Sequence, residues 1–548
     1  MCESRDVLRP GLAIALVLAL APHSARAQER TMGLMYHDST LSYQGYTLFS
    51  PMYYDVTYLI DNQGRLVRSW HAGSDPWYLA YLLEDGSLLH AGRFGRATGI
   101  RKRHWYNTLL WSFVYFGDSF ELHHDLEVLP NGNVLSLARE LRSEAEALAS
   151  GRDTAKLTSM GLQSEHVIEV DTSSSEIVWR WYVWDHLVQD FDSTKRNWGS
   201  VRDHPELIDL NYAAGQSGAE HDFIHINAVD YNAGLDQVIL SPRNYSEVWI
   251  IDHSTTTEEA RGHSGGRYGR GGDLLYRWGN PQTYRRGDSL DQALFYQHDA
   301  QWIPDSLAGA GNLLAFNNGG SERRWSSVDE WIPPVDSPGF YHLGPDSAYG
   351  PVAQSWWYRD TVEFYSSHLS GCQRLPNGNT LVCEGMEGVL LEVTPDSQVV
   401  WKYINPVCDT GPMIQGNQIP PLSNEVFRAY RFSPDYSAFI GRNLEPGDPI
   451  ERYPTGILAP KARAFRPTLS CPGVVRSGTP ITVAVSSGHA RLSIYDCTGR
   501  EVATLVDEVL PAGRYELHWS TRDLASGSYF LKLTLGTATS TRPVVVTR

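Results

Sequence analysis

Cysteine, methionine and positive charge are scarce in this chain. It has six cysteines and seven methionines in 548 residues. Cys2 falls in a leader-like segment, which leaves Cys372, Cys383, Cys408, Cys471 and Cys497. An odd number excludes a fully paired disulfide scaffold, and their spacings do not match a zinc site. Lysine and arginine total 46 against 63 acidic residues, a net charge of −17. Nucleic acid and anionic membrane surfaces are therefore poor partners. After the leader no apolar run approaches the length of a membrane span. No Gly-x4-Gly-Lys-Ser/Thr loop is present to cradle a nucleotide phosphate. An anionic substrate would need a local cluster of His and Arg working against the global field.

Aromatic residues, in contrast, are abundant, with 17 Trp and 29 Tyr, as suits a large all-β protein. One short phrase recurs: HDLEVLPNGNVL from His124, HINAVDYNAGLDQVIL from His225, HDAQWIPDSLAGAGNLLAF from His298 and SGCQRLPNGNTLV from Ser370. Each reads as a strand, a turn of residues that tolerate positive φ, and a second strand. A second phrase follows and closes on an aromatic, at Trp70, Trp181, Trp278 and Tyr403. Together they make a four-stranded unit. Repetition of such units predicts an all-β fold, a β-propeller of about six blades with seven left open. VFRAYRF from Val426 is expected to help close the ring. Arg139 to Gln163 is expected to be a helical insertion and Gly262 to Gly272 a mobile Gly/Arg-rich loop.

Four segments follow from the texture of the chain. Residues 1–27 read as a signal peptide: Arg5 and Arg9 precede the apolar run Leu12 to Ala21, and Ala25-Arg26-Ala27 fits a cleavage site. The propeller is expected over 28–455, a proline-punctuated linker over 456–472 and a small Ig-like β-sandwich over 473–548. Cys372 and Cys383 flank the Asn377-Gly378 turn, which leaves a cross-hairpin disulfide or two free thiols open.

Radial stacking would bring the first residues of the inner hairpins to one hub. His124, His225, His298 and His368 stand there. One such histidine is an ordinary strand-end residue; four at matching blade positions point to chemistry. Arg243 either binds an anion or pairs with Glu247. Asp125 and Asp299 either orient imidazoles or bind a strand edge, and with His123 they also permit a metal site. Tyr341, Trp356, Trp357, Phe364 and Tyr365 are candidates to pack against an aryl group or, more simply, inside a blade.

These stretches, from Tyr46 to Leu444, resemble the aryl-sulfate sulfotransferases, exported bacterial β-propeller enzymes. The resemblance rests on HHDLEVLPNGN, DFIHINAVDYN with SPRNYSEVWIIDHST, QHDAQWIP with LLAFNNG, and SSHLSGCQRLPNGNTLVCEG with LLEVTPDSQVVWKYINP. It implies sulfuryl transfer from an aryl sulfate ester to a phenolic acceptor by a ping-pong route through a sulfohistidine, with no cofactor and no metal. Carried over, His368 is the expected nucleophile, His225 and His298 support it, and Arg323 (with Arg324 as rival) is the catalytic arginine. His124, Asn227 and Arg243 are the expected substrate-binding residues. The chemistry suits these side chains: a neutral imidazole is nucleophilic near pH 7, and Arg or His⁺ stabilises charge spread over transferring oxygens.

Ile494-Tyr495-Asp496, Gly499-Arg500, Ala512-Gly513 and Leu524 through Phe530 resemble the C-terminal sorting domains of type IX secretion cargo and the Ig-like domain of hook-capping proteins. That implies the type IX machinery as a partner and a periplasmic, cell-surface or extracellular location. No Cys-x-Pro-x-Arg sequence is present to make the formylglycine of a hydrolytic sulfatase. The remaining alternative is a non-enzymatic surface propeller that binds a glycan or protein.

Overall fold

A computed structural model describes residues 30–71, 77–212, 221–320, 323–454, 468–485, 488–510, 513–521, 524–535 and 538–547. The expected leader and most of the expected linker lie outside the described residues. Six antiparallel sheets of four main strands form the propeller. Blade 1 combines Val426–Phe432 with Tyr46–Pro51, Val56–Asp61 and Leu66–His71. Blade 2 holds Trp77–Leu82, Leu88–Phe94, Ala97–Arg103 and Leu109–Val114. Blade 3 runs from Phe120–Val128 to Glu176–Tyr182, and blade 4 from Ile226–Asn232 to Tyr276–Trp278. Blade 5 runs from His298–Trp302 to Trp356–Arg359 and blade 6 from Gly371–Arg374 to Val399–Ile404. VFRAYRF closes the ring as expected, because Tyr46 pairs with Phe432 and Phe49 with Ala429. Gly33–His37 adds a fifth strand to the outer edge of blade 6.

The recurring tryptophan has a mechanical reason. Five indole N–H groups find an acceptor on the following blade, while that of the buried Trp70 has none among the described residues. Trp111 donates to Ser175 Oγ, Trp181 to the Gly272 carbonyl, Trp278 to Pro351, Trp356 to Pro395 and Trp401 to Asn62, at 2.7–3.0 Å. The blades are thus stapled along their outer strands.

The inner strands are stitched by acidic side chains that accept a backbone N–H of the next blade. Asp125 takes Val229 N at 3.0 Å, Asp230 takes Trp302 N at 2.7 Å and Asp299 takes Cys372 N at 2.7 Å. Arg428, on the closing strand, is buried between two of these carboxylates. Its guanidinium lies 2.7 Å from Asp125 and 3.1 Å from Asp299, and it also donates to the Asn227 carbonyl. Burial works against its charge, but Asp125 and Asp299 raise its pKa further above the ordinary arginine value. One cation therefore joins blades 1, 3, 4 and 5, and through Asp299 blade 6.

One local expectation needs correction, and one choice left open by the sequence is decided. The helical insertion is confined to Glu144–Ala149 and a 3-10 turn at Thr154–Lys156, because Val134–Arg142 and Leu162–Asp171 continue as paired strands. Ser143 caps the helix in a reciprocal box with Glu146. Cys372 and Cys383 are both free thiols. Cys372 pairs with Val382 and Gly371 with Cys383, so the two sulfurs fall one register step apart on opposite sheet faces.

The C-terminal strands form the expected sandwich. Thr468–Ser470, Pro480–Val485 and Gly513–His518 make one sheet. Val474–Val475, Gly488–Asp496, Glu501–Leu510, Gly527–Leu535 and Ala538–Val546 make the other. Ile481, Val483, Leu492, Leu531 and Trp519 fill the space between them.

Candidate active site

A left-handed residue stands at or near the start of the innermost strand in three blades, His225 at φ 56°, Asp299 at 56° and Ser370 at 87°, and within it in blade 3, His124 at 53°. Beside three of them the ladder slips. In blade 4 Ile226 faces Pro242 while Val229 faces Leu240, and in blade 5 His298 faces Phe316 while Gln301 faces Leu314. In blade 3 the slip spans His123 to Asp125. Such bulges re-aim side chains at a strand end and hold a backbone that is costly for a non-glycine residue. Here they turn histidines from three blades toward one place.

His124 and His225 meet edge to face, with ring centroids 4.6 Å apart. His124 Nδ1 also shares a 2.6 Å hydrogen bond with His123 Nδ1. His225 Nδ1 sits 2.6 Å from Asp222 Oδ2. Burial would raise the Asp222 pKa, but the bond from His225 prevails and holds it low. His225 Nδ1 therefore carries the proton, as in any imidazole oriented by a carboxylate.

The proton on His298 is fixed by a longer argument. Asn318 Nδ2 donates to the Ser366 carbonyl at 2.9 Å and to the Leu369 carbonyl at 3.0 Å, which settles the orientation of the amide. Asn318 Oδ1 must then accept, and His298 Nδ1 lies 2.7 Å from it. The Tyr296 carbonyl, at 3.2 Å, is a second acceptor on the same nitrogen. Nδ1 is the protonated nitrogen, and among the described residues no hydrogen bond reaches Nε2. Burial, then the charge of Arg243, hold the His298 pKa well below the usual imidazole value, so the ring is neutral. Burial likewise takes His124 far down and His123 down to about 3.

Arg243 is one of the arginines at this cluster and the charge that acts most strongly on His298. Its backbone N–H donates to the His225 carbonyl at 2.9 Å, and its guanidinium stands over the Tyr296 ring at 5.1 Å. Arg323 is held by its own loop, beside the Asn317-Asn318 pair that supports His298. It donates to the Asn317 carbonyl, Ser327 Oγ and the Trp325 carbonyl at 2.9–3.2 Å, and its guanidinium lies over Trp325 at 3.8 Å. The loop of blade 5 folds back over that arginine, and its neighbour Arg324 is exposed. Asn227 is fully buried and donates to the Gln297 carbonyl at 2.8 Å, so it fixes the backbone before His298. Arg277 takes the Glu247 carboxylate that sequence offered to Arg243.

His368 lies in the loop before blade 6, with its side chain 39% exposed. Ser367 Oγ holds its Nδ1 at 2.9 Å and Glu425 Oε1 its Nε2 at 3.1 Å. Glu425 also accepts from the Tyr53 hydroxyl at 2.5 Å. Both ring nitrogens of His368 are thus engaged, whereas among the described residues no hydrogen bond reaches Nε2 of His298. The adjacent Leu369 lines, with Met52, Leu122, Phe427 and His124, a cavity of about 200 Å³ rimmed by Arg93 and Arg139. Of the clustered imidazoles His123 and His124 line it, and Glu121, also in its lining, pairs with Arg139. Of the aromatics named from sequence, Phe364 is buried against Phe316 and Tyr358, and Tyr341 stacks near Tyr276.

The sequence profile described as Arylsulfotransferase (ASST) matches residues 50–407. The chain belongs to the arylsulfotransferase family. The profile of a secretion-system C-terminal sorting domain matches residues 478–547, and both matches point to an exported protein. Among the described residues no helix is long and apolar enough to cross a membrane. No curated protein sequence matches the chain. Solved structures resemble it distantly. A protein of unknown function from Bacteroides caccae shares 12% identity at a TM-score of 0.37, over 66% of this chain and 94% of its own. The periplasmic gluconolactonase PpgL of Pseudomonas aeruginosa shares 13% at 0.31, over 64% of this chain and 76% of its own.

The site residues that sequence reasoning missed are Asp222, Asn318 and Arg428. Asp222 and Asn318 stand inside quoted motifs, three residues before His225 and at the second Asn of FNNG. Arg428 had no such signal.

Proposed function

We propose that this arylsulfotransferase-family protein moves a sulfuryl group from an aryl sulfate ester to a phenol through a sulfated His298. The observation that carries the reading is the meeting of His124, His225 and His298 around Arg243, with the protons on His225 and His298 placed by Asp222 and Asn318. His298 Nε2 attacks sulfur as the bond from sulfur to the aryl oxygen breaks. In its protonated form His225, oriented through Nδ1 by Asp222, gives its Nε2 proton to the departing phenolate. Neutral His225 then takes the proton of the acceptor phenol, whose oxygen attacks the sulfohistidine and restores free His298. Arg243 neutralises the sulfuryl oxygens, where charge builds in the transition state. The aryl ring lies against Leu369, Phe427 and Met52.

This reading moves the nucleophile from His368 to His298 and the arginine from Arg323 to Arg243. His368, braced by Glu425, becomes a residue of the rim. The test is turnover of a nitrophenyl sulfate with and without a phenol. Steady release of nitrophenol is expected when the phenol is present, and a fall of at least tenfold without it. Equal release in both conditions would point to hydrolysis, and no release to a binding propeller.

A further inference from the structure

The outer rim between blades 3 and 4 carries a second group of chemically capable side chains. His186 follows the outer strand of blade 3, while His263 lies within the glycine-rich stretch 262–272 and Asp273 directly after it. That stretch, expected to be mobile, is folded on itself by bonds from Gly271 N to Gly265 O at 3.1 Å and from Gly272 N to Gly262 O at 3.0 Å. His186 is buried and lies flat on Trp181, with ring centroids 5.6 Å apart and planes 5° from parallel. Its Nε2 is 2.9 Å from the Ala260 carbonyl and its Nδ1 2.8 Å from Asp273 Oδ1. His263 Nδ1 lies 2.8 Å from the same carboxylate oxygen.

These contacts pose a donor problem. A carbonyl can only accept, so His186 Nε2 must carry a hydrogen. Nδ1 faces a carboxylate oxygen, which is also an acceptor, so the contact needs either a second hydrogen on the ring or a metal ion. A second imidazole nitrogen converges on that same oxygen. One cation among the three atoms, which lie within 4.8 Å of one another, satisfies them together. We propose that His186, His263 and Asp273 form a binding site for a divalent transition metal, zinc by its donor set.

Two imidazoles and a carboxylate suit zinc, whereas calcium and magnesium call for oxygen donors alone. Bonds of about 2.0–2.2 Å to zinc require each N···O contact to widen by roughly half an ångström, a small adjustment. The Ala260 carbonyl fixes the tautomer of His186, the usual support for a metal-bound imidazole. Gly272 makes room: a Cβ there would lie 2.0 Å from the Ala260 carbonyl and 2.6 Å from His186 Nε2. His263 is 63% exposed, so the fourth position opens to water. The metal would pin the glycine-rich stretch to blade 3, far along the blades from the innermost strands that carry His124 and His225. The site is independent of the sulfuryl-transfer reading.

The experiment uses the full chain without an affinity histidine tag, stripped with chelator, dialysed and titrated with zinc chloride. One equivalent is expected to bind at micromolar or lower concentration, with a rise in Tm that magnesium and calcium chloride do not give. His263→Ala, a change at an exposed position, and Asp273→Asn are each expected to weaken zinc binding at least tenfold, and His298→Ala to leave it unchanged. No bound zinc at micromolar concentration would overturn the proposal. So would wild-type affinity in both rim variants, or loss of zinc from His298→Ala, which would place the metal at the hub.

Discussion

His298→Ala is expected to lower kcat/KM for acceptor-dependent sulfuryl transfer on the order of 10⁴-fold, about 5 kcal/mol of transition-state stabilisation. Removal of a nucleophile closes the covalent route, and the neighbouring imidazoles cannot take its place without its geometry. His368→Ala is expected to cost less than about tenfold, since that ring contacts Ser367 and Glu425 and not the three clustered imidazoles. Circular dichroism and a cooperative melt separate lost chemistry from lost fold. Because burial keeps His298 neutral below the ordinary imidazole pKa of 6.5, nucleophilic competence is retained as the pH falls through that value. Any acid limb near 6.5 in kcat/KM then belongs to another group. If His368→Ala proved the more damaging of the two, the nucleophile would be His368.

Arg428→Met is expected to destabilise the propeller by about 3–5 kcal/mol, since it leaves two buried carboxylates facing each other without their cation. Asp125 and Asp299 would still accept from Val229 N and Cys372 N, so neither can turn away without opening a blade contact. Burial has already pushed the Asp299 pKa up to about 6, so loss of the cation favours its neutral form and makes stability more pH-dependent. Urea denaturation at pH 7 measures the effect. Adding Asp125→Asn and Asp299→Asn to Arg428→Met should recover more than half of the loss, because the uncompensated charge is then gone. Stability within 1 kcal/mol of wild type in Arg428→Met would mean that the ring does not depend on this cation.

The propeller was legible because two simple periodicities repeat, a Gly/Asn turn and a strand closing on Trp. The indole bonds between blades explain why that Trp recurs. Blade 2 was hardest to read, because its inner hairpin begins at Trp77 without a histidine and its Trp111 stands before the end of its strand. The hub histidines were legible as a set, but their roles were not. Role depends on which nitrogen is bare, and Asn318 and Asp222 decide that through contacts that sequence spacing cannot express. Arg243 and Arg323 illustrate the same limit: both follow an inner hairpin, yet the loop of blade 5 turns Arg323 onto Trp325. Arg428 was hidden inside a strand that reads only as ring closure. The cysteine pair stayed open in the sequence because its state turns on parity, a single register step that no count from the turn resolves.

Donor alone, without phenol, provides the most direct measurement. The full chain is incubated with an aryl sulfate, quenched in alkali, digested and mapped by mass spectrometry. One SO₃ group is expected on the peptide bearing His298, lost again when a phenol is added. A label on His368 instead, or undiminished phenol-dependent turnover with no histidine ever labelled, would contradict transfer through His298.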